Sequence, residues 1–274
     1  SIAIGAIRDK SNRHVIAQAQ SGTGKTGAFS IGVLSKIDTS ERSTQALVLA
    51  PTRELATQIY NFFKDIGSRM VGLNVDIFIG GQSVTQSQER AIALPHVCIC
   101  TPGRAIDLIS SGHLRVEKFK MLVLDEADQL LSDNFIDQIN EIMQYNPEDV
   151  QILLFSATIP TQAFQIMQTF MHDPIKILIK REQLTLEGIK QFYVNVHQSK
   201  NKFDCLLDIY GSVSIQKAII FANSKAAVDY ISAQLNSHGF TVAPIHAGLD
   251  QVDRDRIMKD FRTGAARVLI STDL

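Results

Sequence analysis

Lys25 and Thr26 stand at the end of a small, glycine-rich run, Ala19-Gln20-Ser21-Gly22-Thr23-Gly24. An amine and a hydroxyl beside a glycine turn can do phosphate chemistry. The apolar Val15-Ile16-Ala17 precedes the run, and Phe29, Val33, Leu34 and Ile37 recur after it at helical spacing. The glycines therefore form a strand-to-helix turn. Its backbone N–H groups lack partners within the helix and face the end where the dipole favours an anion. Lys25 would reach the β- and γ-phosphates of a nucleotide, and the Thr26 hydroxyl would hold Mg²⁺. Gln20, Ser21, Gly22, Thr23, Gly24, Lys25 and Thr26 are the candidate nucleotide-binding set. The P-loop pattern G-x-x-x-x-G-K-[ST] is met with Ala19 at its first glycine and Gly22 as an extra one. The plain alternative is a flexible turn with a surface lysine, which the strand and helix on either side disfavour. A P-loop specifies a nucleotide, not a reaction.

A second cluster points to the reaction. Met121-Leu122-Val123-Leu124 runs straight into Asp125-Glu126-Ala127-Asp128. Acids at the end of an apolar strand are costly unless they serve a cation or a reaction. Asp125 is assigned to Mg²⁺ through waters and Glu126 to the attacking water, as orienter and base. Acids that merely suit a helix N-terminus are the alternative, weakened by the P-loop upstream.

Elements must bring these segments together. Strands are predicted at His14–Ala19, Gln45–Ala50, Asn74–Ile79, His96–Thr101, Lys120–Asp125, Gln151–Ser156 and Ile175–Ile179, separated for the most part by helical patterns. That alternation predicts a parallel sheet covered on both faces, with ligands at the carboxyl ends of its strands. Residues 1–180 form the expected first domain and 181–188 a charged linker. Residues 189–274 form a second α/β unit with strands at Gln191–Val196, Lys217–Ala222, Thr241–His246 and Arg267–Ser271. Phe221 is expected in the core of that unit by strand period.

Composition narrows the classes. A net charge of −1 excludes a globally basic field of the kind that marks a simple electrostatic nucleic-acid binder. Cys98 and Cys100 share one strand face and read as a buried, reduced pair in a reducing compartment. None of the seven histidines is paired at metal-ligand spacing, and no apolar run is long enough to span a bilayer. The first residue is Ser1 and the chain stops at Leu274 just after a strand, so it reads as a piece of a longer polypeptide.

Asp125-Glu126-Ala127-Asp128 with this P-loop resembles the DEAD-box RNA helicases. Further matching segments follow in order: Pro51-Thr52-Arg53-Glu54-Leu55-Ala56, Gly80-Gly81, Thr101-Pro102-Gly103-Arg104, Ser156-Ala157-Thr158, Ile219-Ile220-Phe221-Ala222-Asn223-Ser224, Gln251-x-x-Arg254 and Ser271-Thr272-Asp273. The resemblance covers nearly the whole chain. Leu184 to Phe192 is similar to the translation initiation factor 4A subfamily, and equally to its relative in the exon junction complex.

The resemblance implies two RecA-like domains in tandem, the second incomplete at its C-terminal end. It implies ATP and Mg²⁺ as ligands, ATP hydrolysis coupled to duplex unwinding or RNP remodelling, and single-stranded RNA bound with little sequence preference. The alternative is an RNA clamp with little turnover. A monomer is expected, in the cytoplasm or alternatively the nucleus, working with protein cofactors such as an initiation scaffold. Pro51, Thr52, Arg53, Gly81, Thr101, Pro102, Gly103, Arg104, Gln251, Arg254 and Thr272 would line the RNA. Asp128, Ser156 and Thr158 would couple the acidic site to the second domain. From the residues alone, Thr52 and Asp250 are helix caps, and Arg53 and Arg104 would be ordinary solvated arginines. Two departures stand out. The family's adenine-reading glutamine is absent from Ser1 to Ile7, where Ala3 lies near its place. The arginine-rich motif that supplies an arginine finger does not occur before Leu274.

Overall fold

The computed structural model describes residues 2–20, 22–179 and 189–272, and the chain divides into two compact units, Ser1–Ile189 and Lys190–Leu274. The expected linker, 181–188, lies outside the described residues, as does Ser21.

In the first unit, seven strands form one parallel sheet. They are β1 (Val15–Gln18), β2 (Ala46–Leu49), β3 (Val75–Phe78), β4 (Val97–Cys100), β5 (Met121–Asp125), β6 (Gln151–Ser156) and β7 (Ile175–Ile177), in the order β3-β4-β2-β5-β6-β1-β7. Each lies inside a segment expected to be a strand. The alternation of strand side chains places two apolar sets on opposite faces. Val15, Ala17, Val48, Ile99, Val123 and Phe155 pack under α1 (Ile2–Ile7), α2 (Lys25–Leu34) and α3 (Arg53–Gly67). Ile16, Leu47, Cys98, Cys100, Leu122 and Leu154 pack under α4 (Val84–Ile92), α5 (Pro102–Ser110), α6 (Ala127–Leu130), α7 (Ile136–Tyr145) and α8 (Thr161–Phe170). Both cysteines are fully buried on one face, and burial pushes their thiols well above the ordinary range. They behave as small apolar side chains. Ala3 is buried with Ile7 on α1, and the missing Cβ of Gly32 admits Ile7, whose Cδ1 would stand 2.6 Å from a Cβ there.

Register sets the site. Gln18 pairs with Ser156, and Asp125 pairs with Phe155, so β1, β6 and β5 end at nearly one level. The glycine turn, the acids and Ser156-Ala157-Thr158 therefore leave the same sheet edge side by side. Further along that edge, Leu49 and Phe78 both pair with Cys100, which brings Pro51-Thr52, Gly80-Gly81 and Thr101-Pro102 out together.

The second unit has a parallel sheet in the order β8-β10-β9, from β8 (Ala218–Phe221), β9 (Val242–Ile245) and β10 (Val268–Ser271). α9 (Lys202–Ser212) and α10 (Lys225–Ser237) pack on one face through Phe203, Leu207, Val228 and Leu235. α11 (Gln251–Thr263) packs on the other through Ile257, Met258 and Phe261. Two expectations fail here. Gln191–Val196 forms no strand; Phe192 and Tyr193 are 87% and 94% exposed, because no described strand supplies the ladder that alternation alone cannot. Phe221 is 70% exposed rather than core, because α11 covers β9 and β10 and leaves that face of β8 bare among the described residues.

Candidate functional site

The glycine turn leaves β1 by donating the Ala19 N–H to the Ser156 carbonyl at 3.0 Å. Gly22 and Gly24 take φ of +78° and +95°, in the left-handed region that glycine adopts without steric cost. Gly24 caps α2 with no side chain to accept the first-turn N–H groups, so those donors are left for a ligand. Thr23 Oγ1 donates to the Gln20 carbonyl at 2.7 Å and closes the turn on itself. Thr26 follows Lys25 in the first turn of the helix.

Lys25 is 8% exposed, and its Nζ donates to Glu126 Oε1 at 3.0 Å and Oε2 at 3.2 Å. Two residues read separately as phosphate binder and water activator thus meet directly. Glu126 has φ +48°, a conformation that non-glycine residues adopt at a cost of about 1–3 kcal/mol, and one found at functional sites. That twist turns its carboxylate toward Lys25 while Asp125 stays inside, 2% exposed. Asp125 Oδ1 accepts the Glu126 N–H at 3.0 Å. Burial, then the neighbouring Glu126 charge, push its carboxyl up to about 6, with Lys25 opposing.

The donor chemistry suits Mg²⁺. Among the described residues, no group of three His, Cys, Asp or Glu side chains could hold a metal alone. One buried carboxylate and one hydroxyl fit an ion that keeps several waters and rides on nucleotide phosphates.

Asp128 accepts a hydrogen bond from Thr158 Oγ1 through Oδ2, so α6 and the segment after β6 are tied. Asp128 Oδ1 and Ser156 Oγ are buried without a partner among the described residues. Such orphaned atoms are costly where they stay unpaired and suit a site that changes state.

Thr52 caps α3, its Oγ1 accepting the Leu55 N–H at 3.2 Å, as expected. Thr101 stands at the corresponding place on α5, but its hydroxyl caps nothing; Pro102 opens the helix. Gly81 has φ +84°, and a Cβ there would stand 2.7 Å from Arg53 Nη1, so the arginine lies flat against Gly80-Gly81. Gly103, the second residue of α5, lies beside Gln138 of α7. Arg104 is not solvated: it is 7% exposed, and its guanidinium points at the loop that begins α4. In the second unit, Asp250 caps α11 by accepting the Asp253 N–H at 2.8 Å, again as expected. Gln251 and Arg254 follow in that helix's first turn, and Thr272 leaves β10 by donating its N–H to the Ile245 carbonyl at 3.3 Å. Sequence inspection missed Gln82, Ser87 and Arg90, which hold the Gly81 loop. Nothing in their spacing marks them, since their role depends on how α4 lies against α5.

Residues 1–166 match the DEAD/DEAH box helicase family, and residues 201–274 match the helicase conserved C-terminal domain. The chain is 48% identical over 262 residues to the ATP-dependent RNA helicase eIF4A of Debaryomyces hansenii, covering 96% of this chain and 66% of that protein. It is 49% identical to the eukaryotic initiation factor 4A of Drosophila melanogaster, covering 96% of this chain and 65% of the relative. In structure it is similar to S. cerevisiae Dbp5 bound to RNA and ADP BeF3, with a TM-score of 0.85 and 32% identity over 95% of this chain and 66% of that one. It is also similar to a DEAD box protein from Methanococcus jannaschii, at a TM-score of 0.60 and 29% identity over 99% of this chain and 74% of that one. The chain spans 66% or less of the length of these two curated relatives. With the P-loop turn, the Asp125–Asp128 acids and the Ser156–Thr158 segment gathered at one edge of a RecA-like sheet, the chain belongs to the DEAD/DEAH box helicase family.

Proposed function

We propose that the chain binds ATP with Mg²⁺ in its first unit, hydrolyses it, and couples that cycle to the grip on single-stranded RNA in an RNA helicase. The observation that carries this is the meeting of Lys25, Asp125 and Glu126 at the turn where α2 leaves its first N–H groups for an anion.

Each group has a task. The α2 N-terminus and Lys25 hold the β- and γ-phosphates; Gln20 to Thr26 wrap the phosphate chain. Thr26 and Asp125 would hold Mg²⁺, which when bound would neutralise phosphate charge. Lys25 trades Glu126 for the γ-phosphate when ATP arrives. Glu126, thereby released, orients a water in line with the γ-phosphorus and takes its proton as the P–O bond to ADP breaks. Thr158, through Asp128, senses that change, with Ser156 beside it.

RNA is gripped through phosphates and 2′-hydroxyls. Pro51, Thr52, Arg53, Gly81, Thr101, Pro102 and Gly103 contribute from the first unit, and Gln251, Arg254 and Thr272 from the second. The near-neutral chain accords with backbone contacts at one edge rather than a broad basic surface. The likeness to proteins named initiation factor 4A supports a role in translation initiation; the reading adds a cytoplasmic monomer that works with a protein scaffold.

The test is the affinity for a labelled single-stranded RNA with and without Mg²⁺ and a non-hydrolysable ATP analogue. Tighter binding with nucleotide is expected. Equal affinity in both states, or no RNA binding, overturns the coupled function.

A further inference from the structure

We infer that Arg104 is a positioning residue: it sets Arg53 against the RNA by bracing the Gly80–Ser83 loop, and does not itself meet a phosphate. This rests on the RNA reading above. Arg104 Nη1 donates to Ser87 Oγ at 2.6 Å, and Nη2 donates to the Gln82 carbonyl at 3.0 Å. Ser87 Oγ passes the bond on to the Ser83 carbonyl at 2.9 Å. The nearest carboxylate, Asp107, is 3.8 Å from Nε and itself mostly exposed. A buried cation with so little counter-charge is held by hydrogen bonds to carbonyl and hydroxyl oxygens, and withdrawing it to solvent would orphan them.

The loop is clamped from its other side as well. Arg90 Nη2 donates to Gln82 Oε1 at 3.1 Å and to the Ile77 carbonyl at 2.8 Å, while its Nη1 pairs with Asp76 at 3.1 Å. Gln82 is thus held by its backbone from Arg104 and by its side chain from Arg90. Gly81 directly precedes it, in the left-handed conformation and pressed on the Arg53 guanidinium. The path of force runs from Arg104 to Gln82, to Gly81, to Arg53. A shift of the loop by a fraction of an ångström moves the Arg53 fork, and a fork bonded to phosphate depends on its direction.

The experiment compares the wild-type chain with Arg104→Ala and Ser87→Ala. It measures single-stranded RNA affinity across a salt series, affinity for the ATP analogue, and amide exchange over residues 80–86. Ser87 is buried and uncharged, so its variant perturbs the brace gently. Expected are RNA binding weakened about tenfold or more in Arg104→Ala, a smaller loss in Ser87→Ala, and faster exchange in the loop. ATP-analogue affinity stays unchanged, which a general loss of structure would not allow. The slope of log affinity against log salt also stays that of the wild type. A slope smaller by about 0.7 in Arg104→Ala would mean that Arg104 itself neutralises one phosphate, and would overturn the brace. If the wild type binds no RNA, the RNA reading falls on its own. Loop exchange then decides the brace: faster exchange keeps it, and unchanged exchange removes it.

Discussion

Glu126 and Asp125 are neighbours with opposite needs. Glu126 is held by Lys25, and in the proposed cycle that pair competes with ATP for the lysine. Under that proposal, Glu126→Gln removes the competitor and the base together. It is expected to lower single-turnover phosphate release by roughly 10²–10⁴-fold while leaving ATP affinity equal or higher. Weaker binding in calorimetry would show that Glu126 holds the nucleotide rather than the water. Asp125 is a buried carboxyl pushed up to about 6 from an ordinary 3.8. Its charged form is therefore disfavoured in the folded protein, which binds more protons than the unfolded chain between those two values. Stability contributed by this group rises as pH falls from about 6 toward 4, and its charge costs roughly 3 kcal/mol above pH 6. Asp125→Asn keeps an oxygen for the Glu126 N–H and drops the charge. It should unfold at higher temperature than the wild type at pH 8, with the gain fading toward pH 4, and should no longer bind Mg²⁺-ATP. Lower thermal stability at pH 8 would mean that the carboxylate supports the fold.

Among the elements, two strand-to-helix turns that look alike in sequence behave differently. Thr52 caps α3 and Thr101 does not cap α5. Thr52→Ala should cost about 1 kcal/mol of stability, whereas Thr101→Ala should change it by less than about 0.5 kcal/mol. Denaturant unfolding of the two variants checks this, and equal losses would contradict the capping difference. What could be read in advance follows the same division. β1, β5 and β6 were legible because they are buried on both faces and end in residues with chemistry. The Thr52 and Asp250 caps were legible because they stand directly before an apolar helical period. Phe221 was not, since its burial depends on whether a helix lies over β8. Gln191–Val196 was not, since its alternation is real but a strand needs a neighbour. The inward turn of Arg104 and the Lys25–Glu126 pair join residues far apart in the chain, and no local spacing encodes them.

At the scale of the molecule, each of the two units carries a parallel sheet, and Lys25, Asp125 and Glu126 all lie in the first. Thr158 bonds Asp128, and Ser156 Oγ is buried without a partner among the described residues, so the acids are tied to the segment after β6. Ser156→Ala with Thr158→Ala is expected to leave ATP-analogue affinity within about twofold and to abolish the tightening of RNA binding by nucleotide. Loss of both together would assign these hydroxyls to the nucleotide site itself. Lys25 and the α2 N-terminus are the proposed phosphate site. Calorimetric titration of a Mg²⁺-ATP analogue into wild-type and Lys25→Ala protein tests that most directly. Removing a charge-assisted bond to phosphate should weaken binding by about tenfold or more. Equal affinity in the two proteins would contradict the account.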